Sequence, residues 1–139
     1  MSAMERYAIL LIDHGSRRDE ANAMLSQVAT LVRQRIDDRW PVEIAHMELA
    51  EPNIQQGFSQ CVESGATTVI VHPFMLAPGR HAREDIPRLV ADAAQAHPEV
   101  KFIVSAPLGA HGGLAEAVVD RCMAEAPDLI GAHKPGNKP

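Results

Sequence analysis

Continuous apolar runs and amphipathic stretches alternate along this chain four times over. Tyr7 to Ile12 (YAILLI) is unbroken apolar sequence, as in a strand covered on both faces. Glu20 to Asp37 follows, with Ala21, Leu25, Val28, Val32 and Ile36 at helical spacing, until Trp40-Pro41 breaks the pattern. Val42 to Met47 predicts a second strand. Pro52 in EPNI is then expected in the first turn of a second helix that packs through Ile54, Phe58, Cys61 and Val62 and stops at Gly65. Thr67 to Val71 reads as the third strand and Asp85 to Ala96 as the third helix. Ile86, Leu89, Val90 and Ala93 point inward there, and Pro87 is tolerated in the first turn. Lys101 to Ala106 (KFIVSA) and Leu114 to Ala126 complete the series.

Strict strand–helix alternation predicts an α/β fold. It would be a single-domain, doubly wound sheet of four or five mainly parallel strands, joined by right-handed crossovers with helices on both faces. Such sheets bind ligands beyond the carboxyl ends of their strands. Function is therefore expected in loops 13–19, 48–52, 72–84 and 106–113. Residues 1–126 make up the expected domain. Residues 127–139, ending AHKPGNKP, are rich in Pro, Gly and Lys and are expected to be a flexible tail.

Composition narrows the classes. The 139 residues suffice for one core, and 46% hydrophobic with 22% charged residues is ordinary globular usage. A formal charge of −5 argues against general nucleic-acid binding. No apolar run reaches the ~20 residues of a membrane span, and MSAMERY with its short apolar sequel is too small for a signal peptide. Cys61 and Cys122 lack a CxxC neighbour and sit at core-facing helical spacing. They are expected to be reduced core residues of a cytoplasmic protein.

The loops carry the candidate chemistry. DHGSRRDE places His14, Gly15, Ser16 and Arg17 after strand one, and Glu48 and Glu51 follow strand two. Loop three, PFMLAPGRHAREDIP, is more apolar than a connector needs and holds Pro78, Gly79, Arg80, His81 and Arg83. APLGAHGG brings His111 before the last helix. If the sheet is parallel, His14, Glu48 and His81 share one rim. Two imidazoles and a carboxylate suit a divalent transition metal, and imidazole also serves as a base near neutral pH. Nearby arginines suit carboxylates.

Plainer readings stand beside these. Either histidine alone is an ordinary loop residue, and HGSRR is equally an anion nest at a helix start. Asp13-His14-Gly15-Ser16 is no hydrolase triad, for triad members meet through the fold and no GxSxG elbow is present. His46 and His72 within strands read as structural, His97 as a helix-end residue and His133 as part of the tail. Glu51 is accounted for by the positive end of helix two. Phe74, Met75 and Leu76 either line an apolar wall or pack beneath the loop.

LIDHGSRR, MELAEPNIQQGF, VHPFMLAPGRHAREDIP and SAPLGAHGGL, in this order and spacing, resemble the small CbiX/SirB-type chelatases of the class II family over about residues 5 to 126. The resemblance implies insertion of a divalent metal into sirohydrochlorin, on a cobalamin, siroheme or nickel-cofactor pathway. His14 and His81 would then hold metal and accept protons, with Glu48 as a third contributor beside the nearby Glu51. It also implies a homodimer whose cleft lies where two subunits meet. Asp13 departs from the small residue usual before HG.

The chemistry fits that reading. No organic cofactor is expected. The metal is a substrate, with Co²⁺ placed ahead of Fe²⁺ and Ni²⁺. Gly15, Ser16, Arg17, Pro78, Gly79 and Arg80 would meet a flat, carboxylate-fringed tetrapyrrole. Two alternatives stay open: a metal-delivery protein using the same histidines, and a tetrapyrrole-binding module that performs no insertion.

Overall fold

A computed structural model describes residues 4–126; the expected tail, with His133, lies outside the described residues. The chain forms two compact units, one up to Leu108 and one from Gly109. In the first, strands β1 (Tyr7–Asp13), β2 (Val42–His46), β3 (Thr68–Pro73) and β4 (Lys101–Val104) build one sheet in the order β2-β1-β3-β4. All three pairings are parallel. No fifth strand joins them among the described residues.

The two faces of the sheet follow from the period of two in β1. Ala8, Leu10 and Ile12 point to one face. There they join Val69 and Val71 of β3 under helices α2 (Ile54–Glu63) and α3 (Ile86–Ala94), which contribute Ile54, Phe58, Cys61, Ile86, Val90 and Ala93. Leu11 and Ile9 point to the other face and meet Leu25 and Ala29 of α1 (Asp19–Arg35) together with Val42. Phe58, Leu10, Ile12, Leu25 and Ile86 are all fully buried. Each such side chain contributes roughly 1.5–3 kcal/mol relative to exposure. Helix α1 turns slightly from its expected face, for Ala21 is exposed and Ala29 takes the buried position.

Helix starts differ from expectation where local chemistry competes with periodicity. Pro52 lies outside α2, in a cis peptide with Glu51, and Asn53 is the N-cap. Its carboxamide oxygen accepts from the Gln56 amide at 2.8 Å, and the Gln56 side chain accepts from the Asn53 N–H at 2.7 Å. This capping box satisfies both orphan donors and so begins the helix one residue after Asn53. Gly65 ends α2 as expected, with φ +100°.

Ahead of α3 stands a π turn, His81–Asp85, in which the Ile86 N–H reaches the His81 carbonyl five residues back. Pro87, in the first turn of α3, has no N–H for the carbonyl of Arg83, and its ring would crowd that carbonyl in a regular helix. The wider turn occupies the place where an α-helical ladder would be broken. In the second unit, α4 (Gly112–Glu125) is capped by His111, whose Nδ1 accepts from the Gly113 amide at 2.8 Å. Cys122 on α4 is exposed, contrary to the core position its spacing predicted, while Cys61 is buried.

Candidate metal-handling site

Strand order reverses between β1 and β3. From β1 the chain moves outward to β2, then crosses back to lie on the other side of β1 as β3. Loops leaving the carboxyl ends of these two strands part in opposite directions and open a crevice at that point. His14 follows the last residue of β1, and the loop leaving β3 ends at His81. The two imidazoles meet edge to face, ring centroids 4.9 Å apart. They border a cleft of about 280 Å³ whose remaining wall includes Phe74, Met75, Leu76 and Ala82.

The His14 loop is strapped to the loop beyond β2. Met47 and Glu48 donate their N–H groups to the carbonyls of Asp13 and His14 at 2.9 and 3.2 Å, extending the β1–β2 ladder past the strands. Gly15 has φ +87°, and a Cβ placed on it would stand 1.8 Å from the Glu48 carbonyl oxygen. Only glycine allows both that conformation and that approach. Beneath the strap, Asp13 and His46 occupy paired positions of the two strands, and Asp13 Oδ1 lies 2.6 Å from His46 Nδ1. His46 is buried, structural as expected, and Asp13 is its partner. Ser16 holds its own loop: its Oγ accepts from the Arg18 amide at 3.0 Å, and the Asn22 carboxamide bridges its N–H and carbonyl.

The opposite wall divides its apolar residues among different tasks. Met75 is buried in the core on the α2/α3 face, Phe74 packs partly against the α1 side, and Leu76 is exposed on the cleft. Phe74 is anchored by its N–H to the Ile12 carbonyl at 2.7 Å, so the wall continues from β1 as well as β3. At the Pro78-Gly79 turn the Gly79 N–H already donates to the Ala77 carbonyl at 2.9 Å. Arg80 donates Nε–H to Glu84 at 3.2 Å on the exposed side of the turn. His81 Nδ1 lies 2.8 Å from Asp85 Oδ2, and Arg88 reaches the other oxygen at 3.5 Å. The hydrogen bond from His81 holds the Asp85 carboxyl below the usual carboxylate range. Partial desolvation opposes this, and Arg88 reinforces it.

Of the residues singled out in the sequence, His14 and His81 come together. Glu48 and Glu51 are both exposed, and among the described residues no three His, Cys, Asp or Glu side chains form a ready metal cluster. His72 is structural: Nδ1 is 2.8 Å from Ser105 Oγ, and burial pushes its imidazole below the ordinary range. His97 packs on the Phe58 ring and pairs with Ser59. Two contacts escaped sequence reasoning. The His-x-x-x-Asp spacing of 81 and 85 is visible in the sequence, whereas Asp13–His46 depends on strand register. No helix among the described residues is long and apolar enough to cross a membrane.

Comparison with known proteins places these features in a family context. The profile of a family described as CbiX matches residues 8–125. The chloroplastic sirohydrochlorin ferrochelatase of Arabidopsis thaliana is 48% identical over 114 residues, 81% of this chain and 50% of that protein. A sirohydrochlorin cobaltochelatase of Methanocaldococcus jannaschii is 32% identical over 84% of this chain and 97% of its own length. Among solved structures, SirB from Bacillus subtilis with Fe³⁺ superposes with a TM-score of 0.77 at 32% identity, covering 87% of this chain and 48% of that one. The chain thus spans half or less of several relatives and nearly all of others.

Proposed function

The chain belongs to the CbiX family, and on that premise we propose that it inserts a divalent metal into sirohydrochlorin. One observation carries the reading: His14 and His81, distant in sequence, bring their imidazoles into edge-to-face contact at the border of a largely apolar cleft, at the point where strand order reverses. Metal insertion removes two pyrrole protons, strips ligands from the ion and passes it into the ring. Paired imidazoles suit each demand, because neutral nitrogens hold a borderline ion without trapping it and the same nitrogens take up protons near neutral pH. Confining ion and ring in one cleft supplies the entropic part of the rate.

Roles follow for the remaining residues. His14 and His81 receive the ion. Glu48 adds negative charge at the rim, with Glu51 as its neighbour. Arg17 and Arg80 meet substrate carboxylates, while Leu76 and Phe74 lie against the macrocycle. Gly15, Ser16, Pro78 and Gly79 shape the two loops that flank its edge. Gly15 and Ser16 do so through the strap to Glu48 and the bonds to Asn22 and Arg18. A cleft of about 280 Å³ offers one wall to a tetrapyrrole. A homodimer closing over the ring supplies the other, and size measurement should give twice 15.1 kDa. We place the protein in the cytoplasm.

The test is to mix purified protein with sirohydrochlorin and Co²⁺, Fe²⁺ or Ni²⁺ in turn and follow the absorption spectrum. The reading requires metallation faster than the protein-free reaction, and the metal giving the largest acceleration identifies the pathway. Metal binding without acceleration would replace it with a delivery role. A spectral shift of the tetrapyrrole without metal, and no insertion, would replace it with a binding module.

A further inference from the structure

His14 and His81 differ in how the protein holds them. Among the described residues no side chain or backbone group hydrogen-bonds the His14 ring, whereas His81 Nδ1 is 2.8 Å from Asp85 Oδ2. An ionised carboxylate only accepts, so Nδ1 carries the hydrogen in this contact. The neutral ring must then bear its lone pair on Nε2, the one nitrogen left for an ion in the cleft. A ring bonded through Nδ1 also cannot rotate freely about χ2 without losing the bond.

We infer that Asp85 is a positioning residue for metal binding, which fixes the Nδ1–H tautomer of His81 and presents Nε2 beside His14. The π turn is the backbone device for this. It spans His81 to Asp85 and sets Asp85 four residues on from His81, which itself borders the cleft, with Ile86 and Pro87 following. Arg88, 3.5 Å from the other carboxylate oxygen, steadies Asp85 from the side away from the imidazole. Carboxylates behind ligating imidazoles act in this way in metal sites generally, and removing one typically costs about 10- to 100-fold in metal affinity. A plainer role would be that Asp85 merely favours the start of α3 through the helix dipole. That role predicts no effect on which nitrogen of His81 is protonated.

This inference rests on His14 and His81 being the metal-handling pair, so its test reads the ring before any turnover. Nitrogen-15 NMR of the full chain, with the His81 signals assigned by their loss in His81→Gln, should show the Nδ1–H tautomer at pH above 8. In Asp85→Ala the ring should shift toward the Nε2–H form, and Co²⁺ affinity measured by titration should fall 10- to 100-fold. Asp85→Asn keeps an acceptor oxygen, so it should retain the tautomer and lose less affinity; its fold and that of the alanine variant are checked by circular dichroism. An Nε2–H tautomer in the wild type would overturn the inference, as would unchanged tautomer or Co²⁺ affinity in a folded Asp85→Ala. Failure of the wild type to metallate sirohydrochlorin, with the NMR and Co²⁺ results as expected, would remove the chelatase reading and leave Asp85 in this role.

Discussion

Replacing Gly15 with alanine tests how rigidly the two loops of the site are tied. The new Cβ would lie 1.8 Å from the Glu48 carbonyl oxygen, 3.0 Å from its carbon and 3.2 Å from the Cβ of His46. To restore even a 3.0 Å contact, the strap between the loops must part by about 1.2 Å. Holding an L-residue at φ +87° adds strain of roughly 1–2 kcal/mol. Loss of the Glu48 N–H to His14 carbonyl bond adds about 1 kcal/mol. The variant should therefore be destabilised by about 2–3 kcal/mol, a fall in Tm on the order of 10 °C for a domain of this size. Displacing His14 by about 1 Å should slow metallation roughly 10²-fold. Gly79→Ala is the control for stability alone, because its Cβ would meet nothing within 4 Å and should change stability by less than about 1 kcal/mol. Thermal melts by circular dichroism and single-turnover metallation measure both effects. A Gly15→Ala protein that melts within about 2 °C of wild type and metallates at the wild-type rate would refute the tie.

Other outcomes follow from burial and charge. Asp13→Ala should destabilise the protein by about 2–3 kcal/mol in denaturant titration, since it leaves the buried His46 without its 2.6 Å partner; a loss below about 0.5 kcal/mol would contradict the role given to the pair. Burial, with help from the Glu43 carboxylate, pushes the Cys61 thiol up to about 12, while Cys122 is exposed. A thiol reagent at pH 8 should thus find one reactive cysteine in the folded protein and two after unfolding, with none in folded Cys122→Ser. The half-buried His72 imidazole resists protonation in the folded state, whereas the unfolded chain takes up the proton near pH ~6.5, so this contribution is full above that pH and declines as pH falls. The Tm gap between wild type and His72→Gln should narrow from pH 7.5 to 5.5, and a constant or widening gap would contradict the assignment.

How much of this was legible in the sequence depends on whether a feature is local or depends on register. The four strands and four helices of the described residues were readable because their apolar runs carry a strong period, and parallel pairing followed from their alternation. His14 and His81 were readable as neighbours because a parallel sheet gathers the loops after its strands at one rim. Boundaries moved where side-chain chemistry outweighed periodicity: the Asn53/Gln56 box starts α2 after Pro52, and a π turn stands ahead of α3, whose first turn holds Pro87. Asp13 was visible as a departure from the family pattern, yet its meaning required knowing that β1 and β2 align it with His46. Cys122 shows the converse, since helical spacing alone cannot say whether a face is covered. Phe74, Met75 and Leu76 likewise read as one apolar segment, though the fold gives only Leu76 an exposed place on the cleft.

In the proposed reaction two histidines from separate loops act together on the metal and the ring. Its most direct test is the first-order rate of Co²⁺ insertion into sirohydrochlorin by wild type, His14→Ala and His81→Ala under identical conditions. The wild type should accelerate insertion and each variant should lose at least about 10²-fold, with both variants still folded by circular dichroism. Wild-type rates in either variant, or a wild type no faster than the protein-free reaction, would contradict it.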